Sequence, residues 1–244
     1  MTSPLVIIPS RMASTRLPNK PLADIAGKPM IVRVLEQARN ADIGPVAVAC
    51  DDQRVADAVR DHGGTAVMTR MDHQSGSDRI FEAATLLDPD KKHDFILNLQ
   101  GDCPLIEPEA VKAAFAPLVD DAVHIGTIMT EILTEEGRND PSFVKAIATP
   151  VEGARFRALY FTRTPTPSGE GPLYQHIGVY AYRRTALEAF VALPPSTLEK
   201  REKLEQLRAL EAGMRVDVTL IDSAPMDVNT PEDLERVRKV LASR

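Results

Sequence analysis

The sequence predicts an α/β fold in which a mostly parallel sheet carries helices on both faces, with a smaller antiparallel extension. Two patterns predict it. Short apolar runs alternate with amphipathic stretches in the first half of the 244-residue chain. The second half is less regular and contains more extended segments. A hydrophobic content of 43% is enough for a buried core without disulfides or a structural metal.

The first half predicts four strands, each followed by a helix, and the first two strands are expected to be buried. The strands are predicted at residues 5–8, 46–50, 66–68 and 95–99, and the helices at residues 29–41, 52–62, 77–87 and 107–119. Pro29 fits a first helical turn, Gly63 and Gly64 fit a helix end, and Ser77 fits an N-cap. Ligands of parallel sheets bind outside the carboxyl ends of the strands. We therefore expect loops 9–20, 50–53, 69–77 and 100–104 to line one crevice.

The second half predicts strands at residues 124–132, 144–149, 157–163, 176–182 and 214–221, and helices at residues 183–193, 198–213 and 230–241. Thr230 is expected to cap the last helix, with Pro231 at its first position and Asp233 in a capping-box role. No repeat, low-complexity tract or linker interrupts the chain. We expect a single domain over residues 1–244.

Composition excludes several classes of protein. The net charge of −6 disfavours broad nucleic-acid binding, and the absence of Trp removes the stacking platforms of single-strand binders. The apolar run at residues 5–8 is too short for a signal sequence or a membrane span. Cys50 and Cys103 form no CxxC pair, so reduced thiols are expected. These features favour a cytoplasmic protein without nucleic-acid or membrane partners.

A basic loop follows the first predicted strand. It carries Arg11, Arg16 and Lys20, and no acidic residue precedes Asp24. Three cations on one loop repel each other unless an anion joins them, and small hydroxyl residues leave the backbone N–H groups approachable by phosphate. Those residues are Ser10, Ser14 and Thr15. A solvated basic loop is the alternative. Neither GxxxxGK[ST] nor GxGxxG is present, which disfavours P-loop ATPases and NAD enzymes.

Asp102 follows the fourth predicted strand and is a candidate ligand of Mg²⁺, because that ion prefers oxygen ligands and bridges phosphates. A turn or helix-entry aspartate is the alternative interpretation. Cys103 comes next, but no base is visibly paired with it, so a thiol nucleophile is disfavoured.

Several segments together resemble a known family. They are PSRMASTRLPNKPL at 9–22 with GKPM at 27–30, DHQSGSDR at 72–79, NLQGDCPL at 98–105, HIGVYAY at 176–182, LEKREKLEQLR at 198–208 and NTPEDL at 229–234. In this order they resemble sugar nucleotidyltransferases, most closely the 3-deoxy-manno-octulosonate cytidylyltransferases. The resemblance spans essentially the whole chain.

The resemblance implies a Rossmann-like fold of the nucleotide-diphospho-sugar transferase type. It implies that CTP and 3-deoxy-D-manno-octulosonate (KDO) react to CMP-KDO and diphosphate for lipopolysaccharide synthesis, with Mg²⁺ as cofactor and a homodimeric enzyme. It divides the domain into a nucleotide-binding half at about 1–120, a sugar-binding and dimerisation part at about 121–220, and a C-terminal metal segment and helix at about 221–244.

The resemblance also implies the site residues. The nucleotide would contact Ser10, Arg11, Ser14, Arg16, Lys20, Gln74, Ser75, Arg79 and Gln100. The sugar acid would contact Gln100, Arg163, His176, Tyr180, Glu205 and Gln206. Arg11, Lys20 and Asp102 would be catalytic. Alternation along a strand places His176, Gly178, Tyr180 and Tyr182 on one face. Core tyrosines and a solvated charged helix around residue 205 are the alternatives.

Two departures from the family pattern bear on the site. The usual Val-Asp-Thr-Pro is Val-Asn229-Thr-Pro here, and an amide oxygen brings no charge to a metal, so weaker Mg²⁺ binding is expected. Asp227, two residues earlier, faces the same side of an extended segment, so we hypothesise that Asp227 and Asn229 together complete the metal site. Loop 164–174 is short and rich in Pro and Gly.

Because loop 164–174 is short, the sequence does not decide which acceptor sugar is used. A related acceptor such as 8-amino-KDO, another sugar acid or a polyol phosphate is one alternative to KDO. A nucleotide-binding protein whose activity is weakened by Asn229 is the other.

Overall fold

The computed structural model describes residues 4–243, and its contacts divide the chain into two compact units. Unit 1 is Met1–Val111 with Pro225–Arg244, and unit 2 is Lys112–Ala224. These limits lie close to the expected boundaries near residues 120 and 220. The organisation as one domain stays a prediction.

Unit 1 begins with the predicted alternation of strands and helices. In chain order its elements are β1 (Leu5–Ser10), β2 (Asp24–Ile25), β3 (Lys28–Pro29), α1 (Met30–Asn40), β4 (Val46–Cys50), α2 (Gln53–Asp61), β5 (Thr65–Met68), α3 (Gly76–Leu87) and β6 (Phe95–Asn98). The next helix, α4 (Pro108–Phe115), passes into unit 2 and continues as the 3₁₀ turn Ala116–Val119. The helix predicted over 107–119 therefore ends earlier than expected. Pro117 lies within that turn and is buried.

The parallel strands of unit 1 have the order β5-β4-β1-β6, with β4 and β6 pairing on either side of β1. The chain first moves from β1 towards β5 and then returns to the other side of β1. Because crossovers between parallel strands are right-handed, α1 and α2 cover one face of the sheet and α3 covers the other. The strand order reverses between β1 and β6, which is where open α/β sheets bind ligands.

The helices of unit 1 begin where polar side chains cap them. Asp52 caps α2 by accepting from the amide of Arg54. Ser75, not the predicted Ser77, caps α3: its Oγ accepts from the amide of Asp78, and Ser77 is buried within the first turn of the helix. A small antiparallel hairpin joins β2 to β3, and Gly27 supplies a positive φ of 80° in its turn.

Unit 2 contains mostly antiparallel strands, as expected for the extension. Its elements are β7 (Ile125–Glu131), α5 (Glu135–Asn139), β8 (Lys145–Glu152), β9 (Arg155–Thr162), β10 (Tyr174–Arg183), α6 (Arg184–Ala192), α7 (Thr197–Glu202), α8 (Gln206–Glu211) and β11 (Val216–Ile221). The strand order is β10-β7-β11-β9-β8, and β10 also meets β8 where Gln175 pairs with Lys145. The pair β11–β7 is parallel.

Unit 2 differs from the sequence prediction at one helix. The helix predicted over 198–213 is two helices, α7 and α8, separated at Lys203, whose φ of 58° is left-handed. Leu204 follows this break and is buried, as is Leu207. No Gly or Pro marks the break, so tertiary packing overrides the local helical preference.

The chain returns to unit 1 with α9 (Pro231–Ala242). Thr230 caps this helix and forms the predicted capping box with Asp233. The α/β fold class predicted from the sequence is confirmed. Among residues 4–243, none of the helices combines the length and the apolar character needed to cross a membrane.

Candidate active site

A cavity of about 740 Å³ in unit 1 is lined by residues that follow β1 and β6, at the point where the strand order reverses. Its lining contains all nine residues predicted to contact the nucleotide: Ser10, Arg11, Ser14, Arg16, Lys20, Gln74, Ser75, Arg79 and Gln100. Asp102 and Asn229 line it as well. Residues distant in sequence therefore meet in one space whose volume suits a small ligand.

The cavity lining is mainly cationic. Arg11, Arg16, Lys20 and Arg79 bring positive charge, and Asp102 is the carboxylate among the lining residues. Arg11 and Arg16 are exposed, whereas Lys20 keeps about a sixth of its side chain (16%) in contact with solvent. Such an excess of cations attracts an anion, and arginine and lysine suit phosphate oxygens.

Two of these cations, Lys20 and Arg16, donate to the same acceptor, the side-chain oxygen of Asn229. Lys20 Nζ lies 2.8 Å from Asp102 Oδ2 and 3.3 Å from Asn229 Oδ1. Arg16 Nη2 donates to the same amide oxygen at 3.2 Å. The hydrogen bonds therefore join the basic loop, the segment after β6 and the segment before α9 into one polar cluster.

Asp102, Cys103 and Asp227 form a cluster of possible metal ligands, with one ligand atom from each residue within 4.8 Å of the others. The thiol of Cys103 donates to Asp227 Oδ1 at 2.8 Å. Burial first, and then the carboxylates of Asp227 and Asp102, raise the pKa of Cys103 well above its usual value. Without a bound metal the thiol therefore stays protonated, which argues against a nucleophile.

Asp227 is exposed as a whole residue, but its carboxyl group lies against the buried thiol of Cys103. Burial of that group and the nearby carboxylate of Asp102 raise the pKa of Asp227 to about 6. The two carboxylates and the amide oxygen of Asn229 are hard oxygen donors in one small region. This donor set fits Mg²⁺.

Backbone packing places this cluster. Val228 is fully buried with Leu17, Met30 and Leu105, and its amide donates to Asp102 O at 2.9 Å. Val228 therefore fixes Asp227 and Asn229 on either side of it next to Asp102. Gly101 lets the segment after β6 lie close against Pro9 of β1, because a Cβ at position 101 would lie 2.8 Å from Pro9 O.

A buried ion pair lies behind the basic loop. Arg79 Nη2 is 2.9 Å from Asp51 Oδ2, and the two side chains are 4% and 8% exposed. The other carboxylate oxygen of Asp51 accepts from the amide of Met12 at 2.9 Å, and Arg79 also donates to Thr69 Oγ1. Arg79 lines the cavity, but its charge is already matched. The loop at 50–53 was expected to line the crevice, but none of its residues lines the cavity. Asp51 was not among the predicted site residues and contacts Arg79 and the amide of Met12 instead.

The cavity also contains groups suited to an anion or a polar ligand. Ser75 and Gly76, at the N-terminus of the 12-residue helix α3, line it, and helix N-termini attract negative charge. Ser10 Oγ is buried and has no hydrogen-bond partner among residues 4–243. The same holds within these residues for Oδ1 of Asn98, at the end of β6. Buried polar atoms without partners are rare and call for a ligand or water.

Unit 2 contains a second cluster, built around His176 on β10. The rings of His176 and Tyr180 lie 5.4 Å apart and those of Tyr180 and Tyr182 6.0 Å apart, so the three rings lie together as predicted. The strand is less regular than expected, because its pairing with β7 shifts register between Ile177 and Tyr180.

His176 and Tyr180, whose rings lie at the centre of this second cluster, are uncharged. Burial lowers the pKa of His176 to about 3. Burial, followed by Tyr182 and the charge of Glu205, raises the pKa of Tyr180 well above its usual value. Gln206 Nε2 lies 3.4 Å from His176 Nδ1. Four of the predicted sugar-binding residues, His176, Tyr180, Glu205 and Gln206, therefore lie in one region.

Arg163, another predicted sugar contact, is engaged with the backbone. Its Nε donates to Glu202 O at 3.1 Å and its Nη1 to Pro141 O at 3.0 Å. The carboxylate of Glu202 accepts from the amide of Arg163 and from Thr162 Oγ1. Glu202 was not predicted as a functional residue. Its role in holding Arg163 depends on the helix break at Lys203, which the sequence does not signal.

Comparison with known proteins fits these features. A family model described as cytidylyltransferase matches residues 5–216. The 3-deoxy-manno-octulosonate cytidylyltransferase of Rhizobium johnstonii is 61% identical over 240 residues, which cover 98% of this chain and 96% of the relative. That of Rhodopseudomonas palustris is 60% identical, covering 99% of this chain and 98% of the relative. The chain belongs to the 3-deoxy-manno-octulosonate cytidylyltransferase family.

Solved structures agree with this family membership. A structure of CMP:2-keto-3-deoxy-manno-octonic acid synthetase complexed with CTP is 40% identical, with a TM-score of 0.90 and 99% of each chain covered. An apo UDP-glucose pyrophosphorylase has a TM-score of 0.70 at 13% identity, covering 99% of this chain and 98% of that one, which shows a shared fold alone. The resemblance found in the sequence is confirmed, whereas the role of each site residue stays a prediction.

Proposed function

We propose that this chain transfers a cytidylyl group from CTP to KDO, giving CMP-KDO and diphosphate and so activating KDO for lipopolysaccharide synthesis. The membership of the family supports the reaction. The observation that carries the site is the single cavity lined by all nine predicted nucleotide contacts together with Asp102 and Asn229. The net positive lining of this cavity suits a triphosphate better than a neutral ligand.

The reaction requires no covalent enzyme intermediate. The anomeric hydroxyl of the sugar acid forms a bond to the α-phosphorus and loses its proton, while the bond from that phosphorus to the β-phosphate oxygen breaks. The protein would act by positioning the two substrates and by neutralising the charge that develops on the leaving diphosphate.

The cations of the basic loop would hold the triphosphate. Arg11 and Arg16 are exposed and can turn towards phosphate oxygens, and the amides at the start of α3 offer further donors. Lys20 is paired with Asp102, so binding of the nucleotide exchanges a protein carboxylate for a phosphate as its partner. Asp51 would keep Arg79 and the amide of Met12 in place throughout.

Asp102 and Asp227, with the amide oxygen of Asn229, would hold the Mg²⁺ ion. When bound, this ion would neutralise charge on the phosphate and sugar oxygens. The proposal rests on the cluster of Asp102 and Asp227 and on the amide oxygen of Asn229, which accepts from the same Lys20 ammonium as Asp102. Cys103 would support Asp227 through its thiol hydrogen bond and would not be a ligand.

The Mg²⁺ proposal predicts opposite effects for two variants. Asn229→Asp adds a negative charge to the donor set and should lower the Mg²⁺ concentration that gives half-maximal diphosphate release. Asp227→Asn removes a charge and should raise it. Thermal stabilisation by Mg²⁺ with CTP supplies a second readout. A Mg²⁺ dependence identical in both variants and the unmodified protein would contradict this assignment.

The cluster around His176 would bind the sugar acid. Tyr180, Glu205 and Gln206 offer hydroxyl, carboxylate and amide groups, which suit the many hydroxyls of an octulosonic acid. Arg163 stays a candidate partner of the sugar carboxylate, although binding there requires that its guanidinium add an anion to the two carbonyl contacts it already makes.

The decisive experiment measures diphosphate release with CTP, UTP, ATP or GTP, each combined with KDO or its 8-amino analogue. We expect turnover with CTP and KDO. Turnover with CTP and the 8-amino analogue, but not with KDO, would show that the acceptor is the amino sugar acid. Binding of CTP by calorimetry without diphosphate release at any Mg²⁺ concentration would identify a nucleotide-binding protein without this activity.

The enzyme is proposed to act as a homodimer. Unit 2 exposes apolar side chains at Leu133 (84%), Leu159 (56%) and Val151 (42%), which a second copy would cover. Light scattering after size-exclusion chromatography should give twice the chain mass of 26.7 kDa. A monomeric mass at micromolar concentration would contradict the proposal.

A further inference from the structure

The hydroxyl of Thr127 on β7 contacts three groups of β10 at once. Its Oγ1 lies 2.8 Å from Val179 O, 3.2 Å from Ile177 O and 2.9 Å from His176 Nε2. These contacts occur where the register shifts, because Thr127 pairs with Tyr180 while Ile177 pairs with Ile128. The hydroxyl therefore fills the irregularity in β10 next to the histidine ring.

The number of hydrogens decides the direction of these bonds. A hydroxyl has one hydrogen, and the carbonyl oxygens of Ile177 and Val179 can only accept. The hydrogen of Thr127 therefore goes to a carbonyl, the shorter contact being to Val179 O. The contact with His176 must then run the other way, with Nε2–H of the ring donating to Thr127 Oγ1.

The other ring nitrogen of His176 is consequently an acceptor. A neutral imidazole has one N–H, and no carboxylate is among the described hydrogen-bond partners of this buried ring. With Nε2 protonated, Nδ1 accepts from Gln206 Nε2 at 3.4 Å. This contact orients the amide of Gln206, so that its carbonyl oxygen Oε1 becomes the acceptor that the side chain can offer to a substrate hydroxyl.

We propose that Thr127 is a positioning residue, whose hydroxyl holds His176 in the neutral Nε2–H tautomer and thereby orients the amide of Gln206 for the sugar acid. The inference rests on the proposed function, in which His176 and Gln206 bind that substrate. Thr127 does not line the nucleotide cavity, and none of its described hydrogen-bond contacts is a charged group.

The test compares Thr127→Val, which keeps the shape and loses the hydroxyl, with Thr127→Ser, which keeps the hydroxyl. Thr219→Val is the matched control, because Thr219 on β11 also donates its hydroxyl to a backbone carbonyl, that of Ala113 in α4, at 2.8 Å. Thr127→Val should raise the KM for KDO roughly tenfold, the effect of one misdirected hydrogen bond, and leave the KM for CTP unchanged. Thr127→Ser and Thr219→Val should leave both constants within about twofold.

Nitrogen NMR of the histidine rings supplies a readout that does not depend on turnover. The chain has five histidines, and the signals of His176 are assigned from their loss in His176→Gln. The unmodified protein and Thr127→Ser should show a single Nε2–H tautomer, and Thr127→Val should show a mixture. The NMR measurement reports on the tautomer even if the protein does not use KDO. Failure of the Thr127 proposal can therefore be distinguished from failure of the proposed function.

Two results would overturn the positioning role. An Nδ1–H tautomer in the unmodified protein would do so even if Thr127→Val failed to fold. An equal loss of KDO and CTP affinity in Thr127→Val and Thr219→Val, with equal losses of melting temperature, would identify Thr127 as a structural residue alone.

Discussion

The cavity of unit 1 and the His176 cluster of unit 2 use opposite electrostatics. The cavity is lined by exposed arginines and by Lys20, whose partner is Asp102. The cluster contains a neutral histidine that is held by uncharged hydrogen bonds, with tyrosine rings packed beside it and the carboxylate of Glu205 nearby. The cations of the cavity therefore need an anion to balance their charge, whereas the side chains of the His176 cluster already hold each other in place before a ligand binds.

This difference follows from the cost of desolvation. Exposed cations keep their water and can exchange it for phosphate, so they need no fixed partner beforehand. A buried polar group needs its partner in the folded protein, because an unsatisfied group costs free energy. The Asp51–Arg79 pair is the exception within the charged region, since it is as buried as the histidine cluster.

The largest effect is expected when the buried Asp51–Arg79 ion pair is broken. Asp51→Ala leaves the guanidinium of Arg79 buried without its carboxylate and removes the acceptor of the Met12 amide, so the free energy of unfolding should fall by about 3–5 kcal/mol. Urea denaturation measures it. Asp57→Ala, at an exposed carboxylate of α2, is the control and should change stability by about 0.5 kcal/mol at most. Equal losses in the two variants would show that the pair does not anchor the loop.

The next effect concerns Lys20, the cavity cation that is paired with Asp102. Lys20→Met should lower kcat/KM for CTP by roughly 10²–10³-fold, the usual loss when a donor that stabilises developing charge is removed. Lys92→Met, at an exposed lysine paired with Asp90, should leave kcat/KM unchanged. Diphosphate release measures both. A Lys20→Met variant with normal activity would mean that the Lys20–Asp102 pair has a structural role only.

The smallest expected effect near neutral pH is a pH dependence of stability that arises from His176. The folded chain holds the pKa of His176 near 3, against an ordinary value of 6.5, so below about pH 6.5 the unfolded chain takes up a proton that the folded chain refuses. This contribution to stability is therefore present above pH 6.5 and is lost as the pH falls towards 3. The stability of His176→Gln should fall less steeply over this range in urea denaturation. The same slope in both proteins would show that His176 is not held neutral by burial.

The sequence predicted the fold where the local signal and the tertiary structure agree. Most strands of unit 1 are buried apolar runs, and polar caps such as Asp52 and Thr230 begin its helices. It failed at the helix over 198–213, because the break at Lys203 carries no Gly or Pro. The N-cap of α3 was placed two residues too late, since Ser75 and Ser77 are equally good capping residues.

The chain alone determined the chemistry of the charged site. Three cations without an acid on one loop, and a carboxylate at a strand end, predict a phosphate ligand whatever the exact packing. Only the tertiary structure decided which groups pair before the ligand binds: Arg79 with Asp51, Lys20 with Asp102, and Thr127 with His176. Charge and periodicity are local properties of a sequence, whereas hydrogen-bond partners from distant strands and the burial that fixes a histidine tautomer exist only once the chain is packed.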